Sequence, residues 1–307
     1  NKKENIFIGQ YEKNSFSNSK SLNFIASHSR LAITGIKDQS AIQPIMSPSH
    51  RYLVLFNGEI YNYVQLMKEY QINLPENSSD TVILVYLIDK LGLKFINLLE
   101  GIYSIVIIDI QSKKVYCFRD HIGSKPLYYF QNKDYIAVGS TPKSLAPFIN
   151  IKYELRNDFK KEFIKKGKIS KDNNTLFENI RKIPSGCFIT YTIGKMHNFK
   201  IDRWFKFPKT IHRDNNIKNK SIDYIVESVK KQIPKETDYG VLLSGGIDST
   251  AVTSIVSQCD NYLPTYTGKS LDRNSDESLI AEGTVKYFNC KSNFVDLRNY
   301  DLKKLVK

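Results

Sequence analysis

Through the first two-thirds of the chain, apolar and polar positions alternate in short runs, and that period of two predicts β-strands. The runs fall at residues 23–26, 52–56, 60–63, 103–109, 115–119, 126–130 and 135–138. Two stretches carry a helical pattern instead: 80–91, with Ser78 and Ser79 before it as capping candidates, and 158–166. After Trp204 a charged, apolar-poor stretch reads as a linker at 208–220. Beyond it the rhythm becomes helix 221–232, strand 239–243, helix 250–258, strand 263–267, helix 276–288 and strand 293–295. Such alternation predicts a parallel sheet with helices on its faces. The expected organisation is an α+β domain over 1–207 and an α/β nucleotide-binding domain over 221–307. Three strands bury little area, so the second domain is expected to be the first part of a larger one.

Composition narrows the classes. A length of 307 residues with 41% apolar content suits two domains with real cores. No run of eighteen apolar residues occurs, so no transmembrane helix is expected. The opening Asn1-Lys2-Lys3-Glu4-Asn5 leads into no long apolar core, which argues against a signal peptide. The four cysteines, Cys117, Cys187, Cys259 and Cys290, are scattered and read as reduced thiols in a cytoplasm. Five widely spaced histidines offer no zinc pattern. The formal charge of +14 comes mostly from dispersed lysines, with one local run at Lys160, Lys161, Lys165, Lys166 and Lys168. Few arginines are present for bidentate phosphate contacts, so a solvated lysine-rich surface is expected rather than a nucleic-acid or membrane partner.

Candidate chemistry begins where the predicted strand 239–243 runs into Ser244-Gly245-Gly246-Ile247-Asp248-Ser249. Without Cβ atoms, two adjacent glycines let backbone N–H groups close around anionic oxygens, and a following helix adds its positive end. Ser244, Ser249 and Thr250 can donate further hydrogen bonds, and Asp248 can meet a Mg²⁺ that accompanies phosphates. No lysine follows the glycines, so this is not a Walker A loop. A plain Gly-Gly turn into a capped helix is the alternative. Asn57-Gly58, between apolar runs, offers a second candidate. Alone it reads equally as a hairpin turn or as an oxyanion hole made by the Asn57 amide and the Gly58 N–H.

The loop resembles the SGGxDS pyrophosphate loop of ATP pyrophosphatases, which cleave ATP between the α- and β-phosphates. Upstream, His28-Ser29-Arg30-Leu31-Ala32-Ile33, Gln43-Pro44, Asn57-Gly58-Glu59, Ser78-Ser79-Asp80-Thr81, Arg119-Asp120-His121-Ile122-Gly123-Ser124-Lys125-Pro126-Leu127-Tyr128-Tyr129 and Ile183-Pro184-Ser185-Gly186 appear in order. Together they resemble the class II glutamine amidotransferase domain of glutamine-dependent asparagine synthetases. The resemblance runs on through Pro264-Thr265-Tyr266-Thr267-Gly268 and Asp276-Glu277. It implies two packed antiparallel sheets flanked by helices, of the N-terminal nucleophile hydrolase type, joined to an incomplete synthetase domain. It implies an ATP-dependent ligase in which glutamine supplies ammonia and aspartate is amidated through a β-aspartyl-AMP intermediate, with AMP and pyrophosphate released.

By matching position, the resemblance gives glutamine binding to Arg30, Leu31, Ala32, Ile33, Thr34, Asn57, Gly58, Glu59 and Asp80. Within that set Arg30 grips the α-carboxylate with its planar fork and Asp80 takes the α-ammonium; the residue-level alternatives are a surface salt bridge and a helix cap. ATP binding goes to Leu242, Ser244, Gly245, Gly246, Asp248, Ser249 and Thr267, with Mg on Asp248, although Leu242 also reads as core strand and Thr267 as a strand end. Residues 119–129 read mainly as a strand, a glycine turn and a return strand, with His121 a turn residue. Implied partners are glutamine, aspartate and ATP; a homodimer stays open.

The match departs from the family in three places. Members begin with a cysteine whose thiol attacks glutamine, whereas this chain begins with Asn1 and its nearest cysteine is Cys117. The expectation is that the family's first strand and its cysteine are missing, as is the acceptor-binding part beyond residue 307; the alternative is a member that cannot hydrolyse glutamine and takes free ammonia. Thr141-Pro142 also replaces the pair expected before Lys143. Three other readings stay open: an amidotransferase for another carboxylate, a cell-surface sugar or a β-lactam; a non-catalytic binding protein; and a nucleic-acid-modifying ATP pyrophosphatase.

Overall fold

A computed structural model describes residues 4–10, 23–75, 77–132, 135–149, 157–167, 173–177, 179–194, 199–209, 217–269 and 276–296. Contacts divide the chain into two compact units, Asn1–Thr210 and Ile211–Lys307. Most of the expected linker, and everything after residue 296, lies outside the described residues.

The first unit runs β1 (Glu4–Gln10), β2 (Asn23–Ser29), β3 (Ile45–Met46), β4 (Tyr52–Ile60), α1 (Tyr63–Glu69), α2 (Asp80–Leu91), β5 (Gly101–Asp109) and β6 (Lys114–Arg119). It continues with β7 (Tyr128–Gln131), β8 (Ile136–Gly139), α3 (Pro142–Ile149), α4 (Asn157–Lys166), β9 (Ile180–Lys182), β10 (Cys187–Thr192) and β11 (Phe199–Arg203). All its pairings among named strands are antiparallel: β1 with β2, a six-stranded sheet β11-β10-β6-β5-β4-β3, and a three-stranded sheet β8-β7-β9.

The period-two pattern explains the layering. Phe56, Ile105, Ile107 and Phe118 pack with Ile83, Leu84, Leu87 and Ile88 of α2. The next residue in β6, Cys117, points the other way and joins Ile189 to Leu127, Tyr129 and Ile183. Beyond the second sheet, Leu145 of α3 packs on Phe130 and Ile180. The order is helix, sheet, sheet, helix. Fully burying each such aliphatic side chain contributes roughly 1.5–3 kcal/mol. Helix α2 has the bounds expected, capped by the Ser79 hydroxyl, which accepts from Val82 N–H.

Three expectations change. The runs at 52–56 and 60–63 are one strand to Ile60 followed by α1, so Asn57-Gly58 lies mid-strand and is not a hairpin turn. Strands β6 and β7 belong to different sheets, so residues 120–127 cross between sheets rather than closing a hairpin. Helix α3, absent from the expected elements, starts at Pro142, a residue suited to a first helical position.

At the end of β5, Asp109 is 2% exposed and takes the Arg51 guanidinium at 2.8 Å. Burial pushes its carboxyl up, but hydrogen bonds from Arg51 and Ser112 outweigh that and hold it below the ordinary range. Its folded pKa is below its unfolded one, so its stabilisation is complete at neutral pH and is lost as pH falls through the depressed value. Arg51→Met should therefore unfold at higher pH than wild type in an acid titration followed by circular dichroism. Coincident transitions would contradict this.

The second unit runs α5 (Ile217–Gln232), β12 (Val241–Leu242), α6 (Ile247–Val256), β13 (Pro264–Lys269), α7 (Ser278–Phe288) and β14 (Lys291–Asp296). Its strands pair in parallel in the order β12-β13-β14. Leu243, Ala281 and Val285 form its small core. No helix among the described residues is long and apolar enough to cross a membrane.

Candidate functional site

In the first unit a cavity of about 160 Å³ is lined by every expected glutamine-binding residue except Ala32. The edge of β4 builds it. In β5, Tyr103 spends its N–H on the Asp120 carboxylate at 3.2 Å and its C=O on Asp120 N–H at 3.0 Å. Tyr103 and its opposite number Gly58 are therefore a non-hydrogen-bonded pair, and Gly58 turns its polar groups away from β5. Along that outer edge, Val54 faces β3. Phe56 is matched by the Gln43 carboxamide, which donates to its C=O at 3.0 Å and accepts its N–H at 2.5 Å. The Ile60 N–H goes to Asp80 at 3.0 Å. Between these satisfied positions the Gly58 N–H faces the cavity with no protein acceptor among the described residues. Asn57 also lines the cavity, and its side chain has no hydrogen-bond partner among them.

Asp80 opens α2 and is 4% exposed, one residue inside the Ser79 cap. Besides Ile60 N–H it accepts the Thr34 hydroxyl at 2.7 Å and Thr81 N–H at 2.8 Å. Burial pushes its carboxyl up, and these hydrogen bonds oppose the rise without cancelling it. Arg30 lines the cavity and holds backbone carbonyls. Its Nη2 donates to the carbonyls of Thr34 and Gly35, both at 2.9 Å, and Nη1 donates to Asp38 O at 3.3 Å. The guanidinium ties down the loop that leads to α2, and it makes no salt bridge there. Glu59 sits at the same wall, its carboxyl raised by burial, lowered by Lys125 and raised again by Asp80.

Residues 119–125 are structural, as expected, but they do more than turn. The Asp120 carboxylate, 1% exposed, gathers backbone N–H groups of Tyr103, Ile122, Gly123, Ser124 and Lys125. From the other side Arg119 donates to the carbonyls of Gly123, Lys125 and Ile183. This double clamp delivers Lys125 to the cavity wall. His121 stacks edge-on against Trp204 and Phe205, at 4.7 Å and 4.5 Å, and is not among the residues lining this cavity. Sequence reasoning left His28, Gln43 and Lys125 without roles; all three line the cavity. Burial lowers the His28 pKa, and its Nδ1 is buried without a partner among the described residues. Cys117 is no substitute nucleophile, since complete burial pushes its thiol up to about 12.

In the second unit the expected phosphate loop joins β12 to α6. Gly245 adopts φ +96°, and a Cβ there would stand 2.7 Å from Glu277 O, so the position needs glycine. Gly246 caps α6 without a side-chain hydrogen bond, leaving the first-turn amides open. Ser244 and Ser249 hold the loop, with hydroxyls 3.1 Å apart and Ser244 N–H donating to Ser249 Oγ at 3.2 Å. The helix starts at Ile247, earlier than expected, which places Asp248 in its first turn and exposed. Leu242 is 81% exposed, so it is not a core residue. Thr267 is turned inward: it is 4% exposed and its hydroxyl donates to Leu243 O at 2.7 Å, fastening the strand end. Among the described residues no cluster of three or more His, Cys, Asp or Glu could hold a metal by protein groups alone. A lone exposed carboxylate fits magnesium carried mainly by phosphates and water.

The family model described as "Glutamine amidotransferase domain" matches residues 11–204, and that described as "Asparagine synthase" matches residues 222–307. Asparagine synthetase [glutamine-hydrolyzing] 2 of Bacillus subtilis is 26% identical over 272 residues, covering 85% of this chain and 35% of the relative. A putative asparagine synthetase of Methanocaldococcus jannaschii is 24% identical, covering 83% and 50%. Asparagine synthetase B of Escherichia coli is 26% identical, covering 77% and 37%. The chain thus spans about a third to a half of the length of these relatives.

Proposed function

This chain belongs to the glutamine-dependent asparagine synthetase family, and from that premise we propose that it takes ammonia from glutamine and uses ATP to place it on aspartate. One observation carries the reading. The Gly58 N–H is turned out of its ladder beside Asn57, in a chain whose second unit bears an open helix N-terminus behind two glycines.

In the first unit the glutamine carboxamide oxygen lies between the Asn57 side-chain N–H and the Gly58 N–H. When a nucleophile adds to that carbon, charge moves to the oxygen, and each fixed donor is worth about 3 kcal/mol to the transition state. Ammonia leaves as the carbon–nitrogen bond breaks.

In the second unit a free carboxylate is a poor electrophile, so aspartate must first be activated. Its side-chain oxygen attacks the α-phosphorus of ATP, pyrophosphate leaves, and a mixed anhydride with AMP forms. Ammonia then adds at the acyl carbon and AMP departs. The open amides of the first turn of α6, with Ser244 and Ser249, face the departing pyrophosphate. Magnesium, when bound, neutralises phosphate charge, and Asp248 would hold it.

Pyrophosphate release by the full-length protein, assayed with and without aspartate, tests the acceptor. Release that requires aspartate is expected. Release that responds instead to another carboxylate or to a sugar would contradict the assignment.

A further inference from the structure

Just past the end of β6, the Asp120 backbone carbonyl leaves the ladder with β5. It accepts the N–H groups of Gly123 at 3.2 Å and Gly186 at 2.8 Å instead. That departure takes the ordinary ladder acceptor away from the N–H of Tyr103, a residue with no exposed surface. The Asp120 side chain supplies the replacement, its Oδ2 accepting that N–H at 3.2 Å. The other oxygen, Oδ1, accepts the N–H groups of Ile122, Gly123 and Ser124, all within its own turn. Those three bonds hold the turn by themselves. The bond from Oδ2 to a different strand is the feature that a plain turn does not need.

The Tyr103 rung backs Gly58, and the link between them is stiff. A Gly58 Cβ would stand 2.7 Å from Tyr103 Cα, so backbone lies directly against backbone there. A shift of Tyr103 therefore carries the Gly58 N–H with it. Asp120 is 1% exposed and is not among the residues lining the cavity, yet it fixes the strand behind the cavity's backbone donor.

We propose that Asp120 is a positioning residue for glutamine hydrolysis, which sets through Tyr103 where the Gly58 N–H stands against the developing oxyanion. Its carboxylate acts on backbone alone. The role rests on the cavity being the glutamine site.

The test compares full-length wild type with Asp120→Asn. Three turn amides surround Oδ1, so the asparagine carbonyl settles there and its NH2 confronts the Tyr103 N–H, donor against donor. Glutaminase kcat is expected to fall by on the order of 100-fold, the loss that about 1 Å of misplacement brings. The KM for glutamine should hold, because the interaction lost is made in the transition state. Calorimetric titration with L-glutamate counts folded sites, so that kcat is expressed per site. A wild-type kcat per site overturns the proposal. So does a fall in kcat matched by weaker glutamine binding, which a general loss of structure would give. If Asp120→Asn does not fold, Arg119→Lys keeps the carboxylate but loosens the turn that Arg119 braces. A smaller fall in kcat per site at constant KM is then expected, and no fall overturns the role. A wild type without glutaminase activity overturns instead the glutamine reading of the cavity.

Discussion

Gly58→Ala is expected to destabilise the first unit by about 3 kcal/mol, at the upper end for overpacked cores, and to abolish glutamine hydrolysis. A Cβ at Gly58 would stand 2.2 Å from Ile102 O and 2.7 Å from Tyr103 Cα, both backbone atoms of β5. Flexible side chains can yield to such an intrusion, but a paired strand cannot. Relief requires β4 and β5 to part, and those strands carry Phe56, Ile105 and Ile107 into the main core. The cost is steric alone, because Gly58 has no positive φ. Parting the strands would also move the Gly58 N–H at the cavity wall. Urea denaturation and a glutaminase assay on the same variant check both parts. Wild-type stability would show that the strand pair is not tight here.

Asp248→Ala is expected to lower ATP-dependent pyrophosphate release by on the order of 100- to 1000-fold. Asp248 is exposed in the first turn of α6, so its structural value is a favourable charge near a helix N-terminus. That contributes about 0.3–1 kcal/mol, too little to unfold the unit. Loss of activity with a nearly unchanged thermal midpoint therefore separates its chemical role from a capping role. Retained release would remove Asp248 from the phosphate site.

Where local rules agree with tertiary packing, the fold was legible. Helix α2 was readable because a strong apolar face follows a serine cap. The parallel unit was readable because strands and helices alternate. Misreadings arose where a local signal has two physical causes. Asn-Gly is a turn signal, but a glycine is also what a strand needs when a neighbouring backbone comes within reach. The pairing that decides between them, Gly58 with Tyr103, is forty-five residues away in sequence. Likewise the cap rule favours Ser, Thr or Asp, so it set the start of α6 beyond Ser249, whereas Gly246 caps without any side-chain bond.

The site was legible as a set of positions but less so as roles. Arg30 and Asp80 were singled out, yet sequence could not reveal that they also hold loop carbonyls and a strand amide. Lys125 was hidden inside a segment whose other residues are structural. Its signal was the company of Arg119 and Asp120, two charged residues spent on fixing the backbone of a third. Thr267 had two readings, and its hydroxyl bonds inward to Leu243 O, as a strand end allows.

The central claim is that nitrogen from a glutamine side chain ends on a carboxylate activated by ATP. Full-length protein supplied with amide-¹⁵N glutamine, aspartate, ATP and magnesium tests it by mass spectrometry of the products. The account predicts ¹⁵N in the asparagine side chain, with AMP formed in equal amount. Unlabelled asparagine, or ¹⁵N released as ammonium while ATP stays intact, would contradict it.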